Sequence, residues 1–263
     1  MTVSFFILIA CFGLLVGILS GMFGIGGGTM IIPLLHLVFN IPILASTATS
    51  LFVIAPTSVS GAWRHRWQGT VDLRAAVVIG ASGAVTSAIS SLFSNQLPDI
   101  VVGIAAAGVI FYSASSMLRH AFRQSRAAER GDSHRLVADT FGRTVGQVCL
   151  GLFAGLVAGV VGVGGGFIIV PVCVAYFGYT FKEASGTSLA AIAFLALPGI
   201  ITHALLGHVW YLYGIALMIG TIPGANIGAR IIAHIPERTA RFAFGGLLVV
   251  SGAMLVVNQV ILV

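Results

Sequence analysis

Long stretches without a charged side chain run through most of this sequence. Only 8% of the 263 residues are charged and 58% are hydrophobic, whereas roughly a quarter of the residues in an ordinary soluble domain carry charge. The 13 basic and 7 acidic side chains cannot cover the surface of a soluble protein of this length. This composition excludes a soluble enzyme, a disordered chain and a fibrous repeat, and it predicts an all-α polytopic membrane protein.

Gaps between the charges mark candidate membrane spans, because about 20 apolar residues cross the hydrocarbon core of a bilayer. Two further apolar pieces, 29–39 and 167–177, each follow a glycine cluster and are too short to span alone. We predict broken or re-entrant half-helices there. No basic residue precedes the first apolar run and no cleavage site follows it, which argues against a cleaved signal peptide. Eight long spans are predicted, at roughly 3–22, 44–62, 75–94, 99–118, 144–163, 185–206, 209–229 and 241–262.

One long polar stretch, Arg119–Arg143, carries six arginines against three acidic residues. We interpret it as a cytoplasmic connector, 119–143, between a first transmembrane repeat, 1–118, and a second, 144–263. A role at lipid headgroups is the alternative. The net charge of +6 is therefore assigned to membrane topology and not to nucleic-acid binding. The three cysteines lie in apolar runs without the spacing of metal ligands, so no metal or cofactor is predicted.

The sequence repeats itself at an offset of 138 residues. Ten of the 21 positions from 13 to 33 are identical to the positions 138 residues later. The triplet Thr49–Leu51 recurs at the same offset as Thr187–Leu189. Agreement at one constant offset predicts a tandem duplication.

Positive charge predicts how the two copies are oriented, because loops rich in Lys and Arg stay on the cytoplasmic side. In the first copy, loop 63–74 has three arginines and loop 93–99 has none. In the second copy the equivalent of the first loop, around 207–208, has no Arg or Lys, and 230–241 has three arginines. We therefore predict two inverted repeats of five segments each, with both termini in the periplasm. Eight plain spans in parallel copies are the alternative.

Each copy contains the motif Gly-x3-Gly-x3-Gly-x2-Gly-x-Gly-Gly-Gly-x4-Pro. Glycines spaced by four let helices approach closely in lipid, but three in a row cost a helix about 1 kcal/mol per residue relative to alanine. The short helix after the break would present free N–H groups and its positive dipole end, which favours an anion site. Packing alone is the alternative. The predicted backbone ligands are Gly26, Gly27, Gly28 and Thr29, with Gly164, Gly165, Gly166 and Phe167 in the second copy.

Polar groups inside the predicted spans are neutral, since no Asp or Glu lies in the middle of any span. A coupling site built on a buried carboxylate therefore has no candidate. Hydroxyl, amide and imidazole groups are predicted to help bind the substrate, and His36 is also a candidate proton carrier. The alternatives are hydroxyls bonded to their own helix and a histidine that only packs. These candidates are His36, Thr49, Ser50, Thr187, Ser188 and Asn226.

The duplicated G-x-G-G-G-x4-P element, the two T-S-L triplets and the run Pro223–Arg230 resemble the sulfite exporter TauE/SafE family. The resemblance extends from Gly13 to about Val250. It implies a bacterial inner-membrane permease for small sulfur-containing anions such as sulfite, sulfoacetate and related sulfonates, mostly as exporters. We therefore expect a secondary transporter that works by alternating access between the inverted repeats. Its expected partners are a small anion and the lipid bilayer, with no nucleic acid, and a homodimer stays open.

Two other functional classes stay open as alternatives. One is an anion channel or passive membrane subunit. The other is a rhomboid-like intramembrane serine protease, because Gly80–Gly83 resembles the nucleophile motif of that family, with Ser82 as nucleophile and His203 as base. However, Trp63 lies only 17 residues before Gly80, which leaves no room for the intervening spans of that fold. We therefore predict no catalytic residue and no enzymatic activity.

Overall fold

The computed structural model describes residues 3–93, 107–119, 122 and 140–261, and the regular structure in this part of the chain is helical. The connector predicted at 119–143 lies mostly outside the described residues. The helices are α1 (Val3–Phe23), α2 (Gly28–Pro33, continued by a π-helical turn at Leu34–Val38), α3 (Ile43–Trp67), α4 (Leu73–Phe93), α5 (107–119), α6 (Thr140–Val161), α7 (Gly166–Tyr176), α8 (Phe181–Leu205), α9 (Tyr211–His234) and α10 (Glu237–Ile261).

Six of the described helices, α1, α3, α4, α6, α8 and α9, are long and apolar enough to cross a membrane. They coincide with six of the eight predicted spans and confirm the all-α membrane class. The predicted span 99–118 begins outside the described residues, and the span 241–262 falls on α10, which is not one of the six. The two predicted short pieces are the short helices that begin at Gly28 and Gly166.

Two helices extend beyond the predicted spans because polar residues can continue a helix outside the hydrocarbon. α3 runs through Arg64 and Arg66, whose positive charges suit the negative end of the helix dipole. α8 begins four residues before the predicted span, where Thr180 and Glu183 form a capping box. The Thr180 hydroxyl accepts from the Glu183 N–H at 3.2 Å, and the Glu183 carboxylate accepts from the Thr180 N–H at 2.8 Å.

The first helix of each copy packs against the fourth helix of the other copy. A methyl group at Gly17 of α1 would lie 2.6 Å from the Cα of Thr221 on α9, and one at Gly155 of α6 would collide with the Gly83 carbonyl on α4. Every such pair has an equivalent at the 138-residue offset with the copies exchanged. The pairs are Gly13–Leu217, Gly17–Thr221 and Gly21–Ala225, and Gly151–Ile79, Gly155–Gly83 and Gly159–Ser87. The glycines spaced by four therefore pack helices, which was one of the two alternatives predicted for them.

The third helices, α3 and α8, lie at the centre of the bundle. They contact each other, and each also packs against the fourth helix of the other copy, α3 on α9 and α8 on α4. Helices of the two copies are therefore interleaved, and the short helices α2 and α7 pack against this central pair.

The basic loops of both copies lie at one end of the bundle. The Gln68 side chain after α3 donates to the Ala229 carbonyl of α9 at 2.8 Å. Lys182 at the start of α8 donates to the Ala233 carbonyl at 2.6 Å. The first contact places the predicted cytoplasmic loops 63–74 and 230–241 side by side, although they follow different helices within their copies, and the second places the start of α8 at the same end. The basic residues of the helix ends gathered here are Arg64, Arg66, Arg74, Arg143, Lys182, Arg230, Arg238 and Arg241.

Asp72 is one of the acidic residues at this basic end and caps α4. Its carboxylate accepts from the Ala75 N–H at 3.0 Å and from the Tyr179 hydroxyl at 2.6 Å, and the Arg143 guanidinium lies 5.0 Å from the centre of the Tyr179 ring. Burial alone would raise the pKa of Asp72. The hydrogen bonds and the charge of Arg143 outweigh burial and hold the pKa below its ordinary value of 3.8.

We expect Asp72→Ala to lower the free energy of unfolding by about 1 kcal/mol at pH 7, because α4 loses its N-cap. Since the folded-state pKa is the lower one, the contribution of the charged carboxylate is present above the unfolded-state value of about 4 and is lost as the pH falls through the folded-state pKa. Thermal unfolding midpoints of variant and wild type in detergent should differ at pH 7 and approach each other below about pH 4. Asp72→Asn, which keeps a capping side chain without the charge, is the matched control. A gap that stays constant down to pH 3 would contradict the assignment.

Candidate functional site

The glycine runs break the helices in the same way in both copies. Three glycines of each run have the left-handed φ that other residues rarely adopt. In the first run these φ values are +72° at Gly24, +82° at Gly26 and +92° at Gly27, and in the second they are +75° at Gly162, +85° at Gly164 and +74° at Gly165. A short helix begins directly after each run. We refer to Gly24–Gly28 as the first break and to Gly162–Gly166 as the second break.

The two breaks pack directly against each other. A methyl group at Gly28 in the first break would lie 2.6 Å from the Cα of Val163 in the second. One at Gly166 would collide with the Gly24 carbonyl and lie 2.8 Å from the Cα of Ile25. These contacts are again equivalent at the offset of 138 residues. The two runs, far apart in sequence, therefore form one unit of irregular backbone.

Several N–H groups at both breaks have no acceptor in the described part of the chain. In the residues that the structure describes, none of the N–H groups of Gly26–Thr29 or Gly164–Phe167 makes a hydrogen bond. The first N–H groups of the short helices to be bonded are those of Met30 and Ile168. The first turn of any helix leaves such donors free, and they carry its positive dipole end. Both of the contacting breaks therefore carry unbonded donors, which suits a ligand with several acceptor oxygens.

The predicted serines each bind the break of the opposite copy. The Ser50 hydroxyl on α3 donates to the Gly162 carbonyl at 3.1 Å. The Ser188 hydroxyl on α8 donates to the Gly24 carbonyl at 2.8 Å. Neither hydroxyl bonds its own helix, which was the alternative predicted for it. Both serines hold the first residue of a break in place.

The predicted threonines bind the loops at the two ends of the bundle. Thr49 accepts from the N–H of Trp210 and Thr187 accepts from the N–H of Asp72, each at 3.0 Å. Because each threonine precedes one of the serines, each Thr-Ser pair connects a break to the loop before the fourth helix. The four hydroxyls thus tie both copies together by hydrogen bonds as well as by glycine packing.

The two remaining polar candidates lie at different distances from the breaks. The Nδ1 atom of His36 is 2.8 Å from the carbonyl oxygen of Ile41, which follows the π-helical turn. The structure therefore does not bring His36 to a break. Asn226 is half-buried on α9. It follows Ala225, which packs against Gly21 just before the first break.

Buried hydroxyls without a partner distinguish the first break from the second. Ser20 and Thr29 are 1% and 2% exposed, and neither hydroxyl has a hydrogen bond among the described residues. The Cβ of Ser20 would lie 3.6 Å from a methyl group at Gly27. The equivalent residues of the second copy are Ala158 and Phe167. Ser20 is not repeated in the second copy, so the duplication that marks the other candidates does not mark it.

The structure does not form the protease pair. The Ser82 hydroxyl donates to the Val78 carbonyl of its own helix at 2.7 Å. The Nδ1 atom of His203 lies 3.4 Å from the Nδ1 atom of His208. A serine protease needs its nucleophile within hydrogen-bond reach of the base, and these two side chains have other partners.

The paired breaks lie inside a region with known relatives. The family model "Sulfite exporter TauE/SafE" matches residues 9–255, which include both breaks and both Thr-Ser pairs. The chain belongs to the TauE/SafE sulfite exporter family. This confirms the family that the repeated motifs resemble, and it identifies the protein as a member of a membrane transporter family.

Curated relatives agree with this family and extend over most of the chain. The chain is 30% identical to the "Probable membrane transporter protein YdhB" of Bacillus subtilis (strain 168), over 85% of this chain and 89% of that protein. It is 26% identical to YunE of the same organism, over 95% and 97% of the two chains. It is 27% identical to MJ0441 of Methanocaldococcus jannaschii, over 91% of each. Both are likewise named probable membrane transporter proteins. No solved structure matches this TauE/SafE member.

Proposed function

We propose that this TauE/SafE protein exports small sulfur-containing anions, such as sulfite or organosulfonates, across the bacterial inner membrane as a secondary transporter. The observation that carries the proposal is the contact between two breaks whose N–H groups, at Gly26–Thr29 and Gly164–Phe167, have no acceptor among the described residues. Sulfite and sulfonate oxygens each accept hydrogen bonds, so backbone donors at two helix N-termini can bind them without a full countercharge.

The proposed binding site joins these N–H groups to neighbouring side chains. The buried hydroxyls of Ser20 and Thr29 would donate to an anion at the first break, since they have no other partner among the described residues. Ser50 and Ser188 would position the breaks through the carbonyls they bind, and their oxygens line the same region. Asn226 stays in the proposed set by its place beside the α1–α9 contact, and His36 stays only as a predicted contact.

We propose that the two copies, 1–118 and 144–263, are inverted repeats related by a pseudo-two-fold axis between the breaks. The glycine contacts between helices, the contacts between the breaks and the bonds of the Thr-Ser pairs each recur with the copies exchanged, as a two-fold axis requires. The basic loops 63–74 and 230–241 follow different helices of their copies yet lie at one end, which supports an axis in the membrane plane. The basic end and the connector 119–143 are then cytoplasmic, and both termini are periplasmic.

Anion uptake into proteoliposomes tests this function. Sulfite, sulfoacetate, taurine, sulfate and thiosulfate are offered one at a time, with and without a pH gradient, and protein-free liposomes serve as the control. We expect protein-dependent uptake of at least one sulfite-like or sulfonate anion. No uptake of any anion under any gradient would contradict the proposal. Electrogenic flux far above carrier rates would instead assign the protein to the channel class.

A further inference from the structure

Two isoleucines, one from each copy, occupy the space between the breaks. Ile54 on α3 and Ile192 on α8 are equivalent at the 138-residue offset, and both are fully buried. A methyl group at Gly26 would lie 3.0 Å from Cγ2 of Ile54 and 3.4 Å from Cδ1 of Ile192. One at Gly164 would lie 3.3 Å from Cγ2 of Ile54 and 3.5 Å from Cγ2 of Ile192. Each isoleucine therefore contacts both breaks.

The same side chains also reach the first residues of the short helices. A methyl group at Gly28 would lie 2.8 Å from Cδ1 of Ile54, and one at Gly166 would lie 2.8 Å from Cδ1 of Ile192. The donors of both helix N-termini thus lie beside apolar carbon atoms. Burying an N–H group against carbon costs free energy. This packing is therefore stable only while the two isoleucine side chains have no alternative position of lower free energy.

We propose that Ile54 and Ile192 are the specificity-determining residues of this transporter. They close the space between the breaks in the conformation described here, and the room they leave when they move aside decides which anions bind. Isoleucine is β-branched and keeps essentially one χ1 rotamer in a helix, so neither side chain can fold away without movement of α3 or α8. The pair therefore favours compact anions such as sulfite over sulfonates with a longer organic part. This inference rests on the anion site proposed above.

Substitution of either isoleucine by alanine removes three carbon atoms from the space between the breaks without adding a polar group. Ile54→Ala and Ile192→Ala are the test variants. Ile232→Ala is the matched control, because Ile232 is equally buried but lies on α9 near the basic end. Ile54→Val and Ile192→Val keep the branch at Cβ and remove one carbon, so their effects should fall between wild type and alanine.

Thiol labelling measures the closure without any transported anion. The reporter is Ser20→Cys, beside Gly27, in a background where Cys11, Cys149 and Cys173 are alanine. We expect a small hydrophilic methanethiosulfonate reagent to label it about tenfold faster or more in the Ile54→Ala and Ile192→Ala proteins, because the apolar closure loses buried carbon. The Ile232→Ala protein should label at the wild-type rate. Unchanged labelling in both test variants would overturn the proposal.

Anion selectivity is the second readout. We expect the ratio of sulfoacetate to sulfite uptake in proteoliposomes to rise by about fivefold or more in the alanine variants and to stay constant in Ile232→Ala. If the alanine variants are less stable to heat but keep the wild-type uptake ratio and labelling rate, Ile54 and Ile192 only pack the core. If wild-type protein moves no anion of the panel above, the proposed function fails, and the labelling rates still decide whether the two isoleucines close the space between the breaks.

Discussion

Alanine at Gly28 or Gly166 is expected to reduce anion uptake into proteoliposomes by about tenfold or more, because the new methyl group forces the breaks apart. At Gly28 it would lie 2.6 Å from the Cα of Val163, which is backbone and can move only together with the second break. At Gly166 it would collide with the Gly24 carbonyl. Both substitutions act on the same junction from opposite sides, so their effects should be similar in size.

The control for this pair is Gly246→Ala on α10, where an added methyl group meets no described residue within 4 Å. It should keep wild-type uptake, since alanine favours a helix over glycine by about 1 kcal/mol. Size-exclusion profiles and unfolding temperatures in detergent separate lost transport from lost folding. Wild-type uptake by both Gly28→Ala and Gly166→Ala would show that the junction is not part of the transport site.

Leucine at Gly17 or Gly155 is expected to lower the unfolding temperature of the purified protein by about 10 °C, or to prevent its isolation as folded protein. At Gly17 even a methyl group would lie 2.6 Å from the Cα of Thr221, and at Gly155 it would collide with the Gly83 carbonyl. Overpacking costs about 1–3 kcal/mol or more, and each kcal/mol shifts the midpoint of a chain this long by about 2–4 °C. Lipid supplies no hydrophobic force between helices, so close packing carries most of their association.

Gly246→Leu is the control for this second pair, because an added Cβ atom there meets nothing within 4 Å among the residues that the structure describes. Its unfolding temperature should stay within about 2 °C of wild type, as is usual for a substitution that meets no neighbour. Alanine at Gly17 and Gly155 should give smaller shifts than leucine. If the leucine and alanine variants at Gly17 and Gly155 all unfold at the wild-type temperature, these contacts do not hold α1 and α6 in place.

The helices that cross the bilayer were predictable because their cause is local. Hydrocarbon thickness sets the length of a span, and consecutive glycines disfavour the continuation of a helix. Helix ends at the surface were less predictable. The predicted span ends at 62, before Arg64 and Arg66, yet α3 continues to Trp67 because these charges are compatible with the C-terminus of a helix.

The site was predictable where the duplication marks it. Repetition singled out Ser50 and Ser188, and the structure gives them equivalent bonds to the two breaks. Ser20 carries no such signal, and the repetition of Ile54 at Ile192 does not by itself mark a binding site. Ser20 is replaced by alanine in the second copy. An isoleucine in an apolar span can face lipid, the core or a binding site, so its residue type does not say which. Only the packing of one copy against the other reveals what these residues contact.

The contact between α1 and α9 also constrains how the protein is made. Gly17 and Thr221 are separated by about 200 residues, and a ribosome adds about 5–20 residues per second. The glycine face of α1 therefore enters the bilayer about 10–40 s before the helix that covers it exists. Neither half of the chain contains the helix that packs against its own first helix. A nascent chain halted at the connector would therefore hold α1 without α9 and α4 without α6.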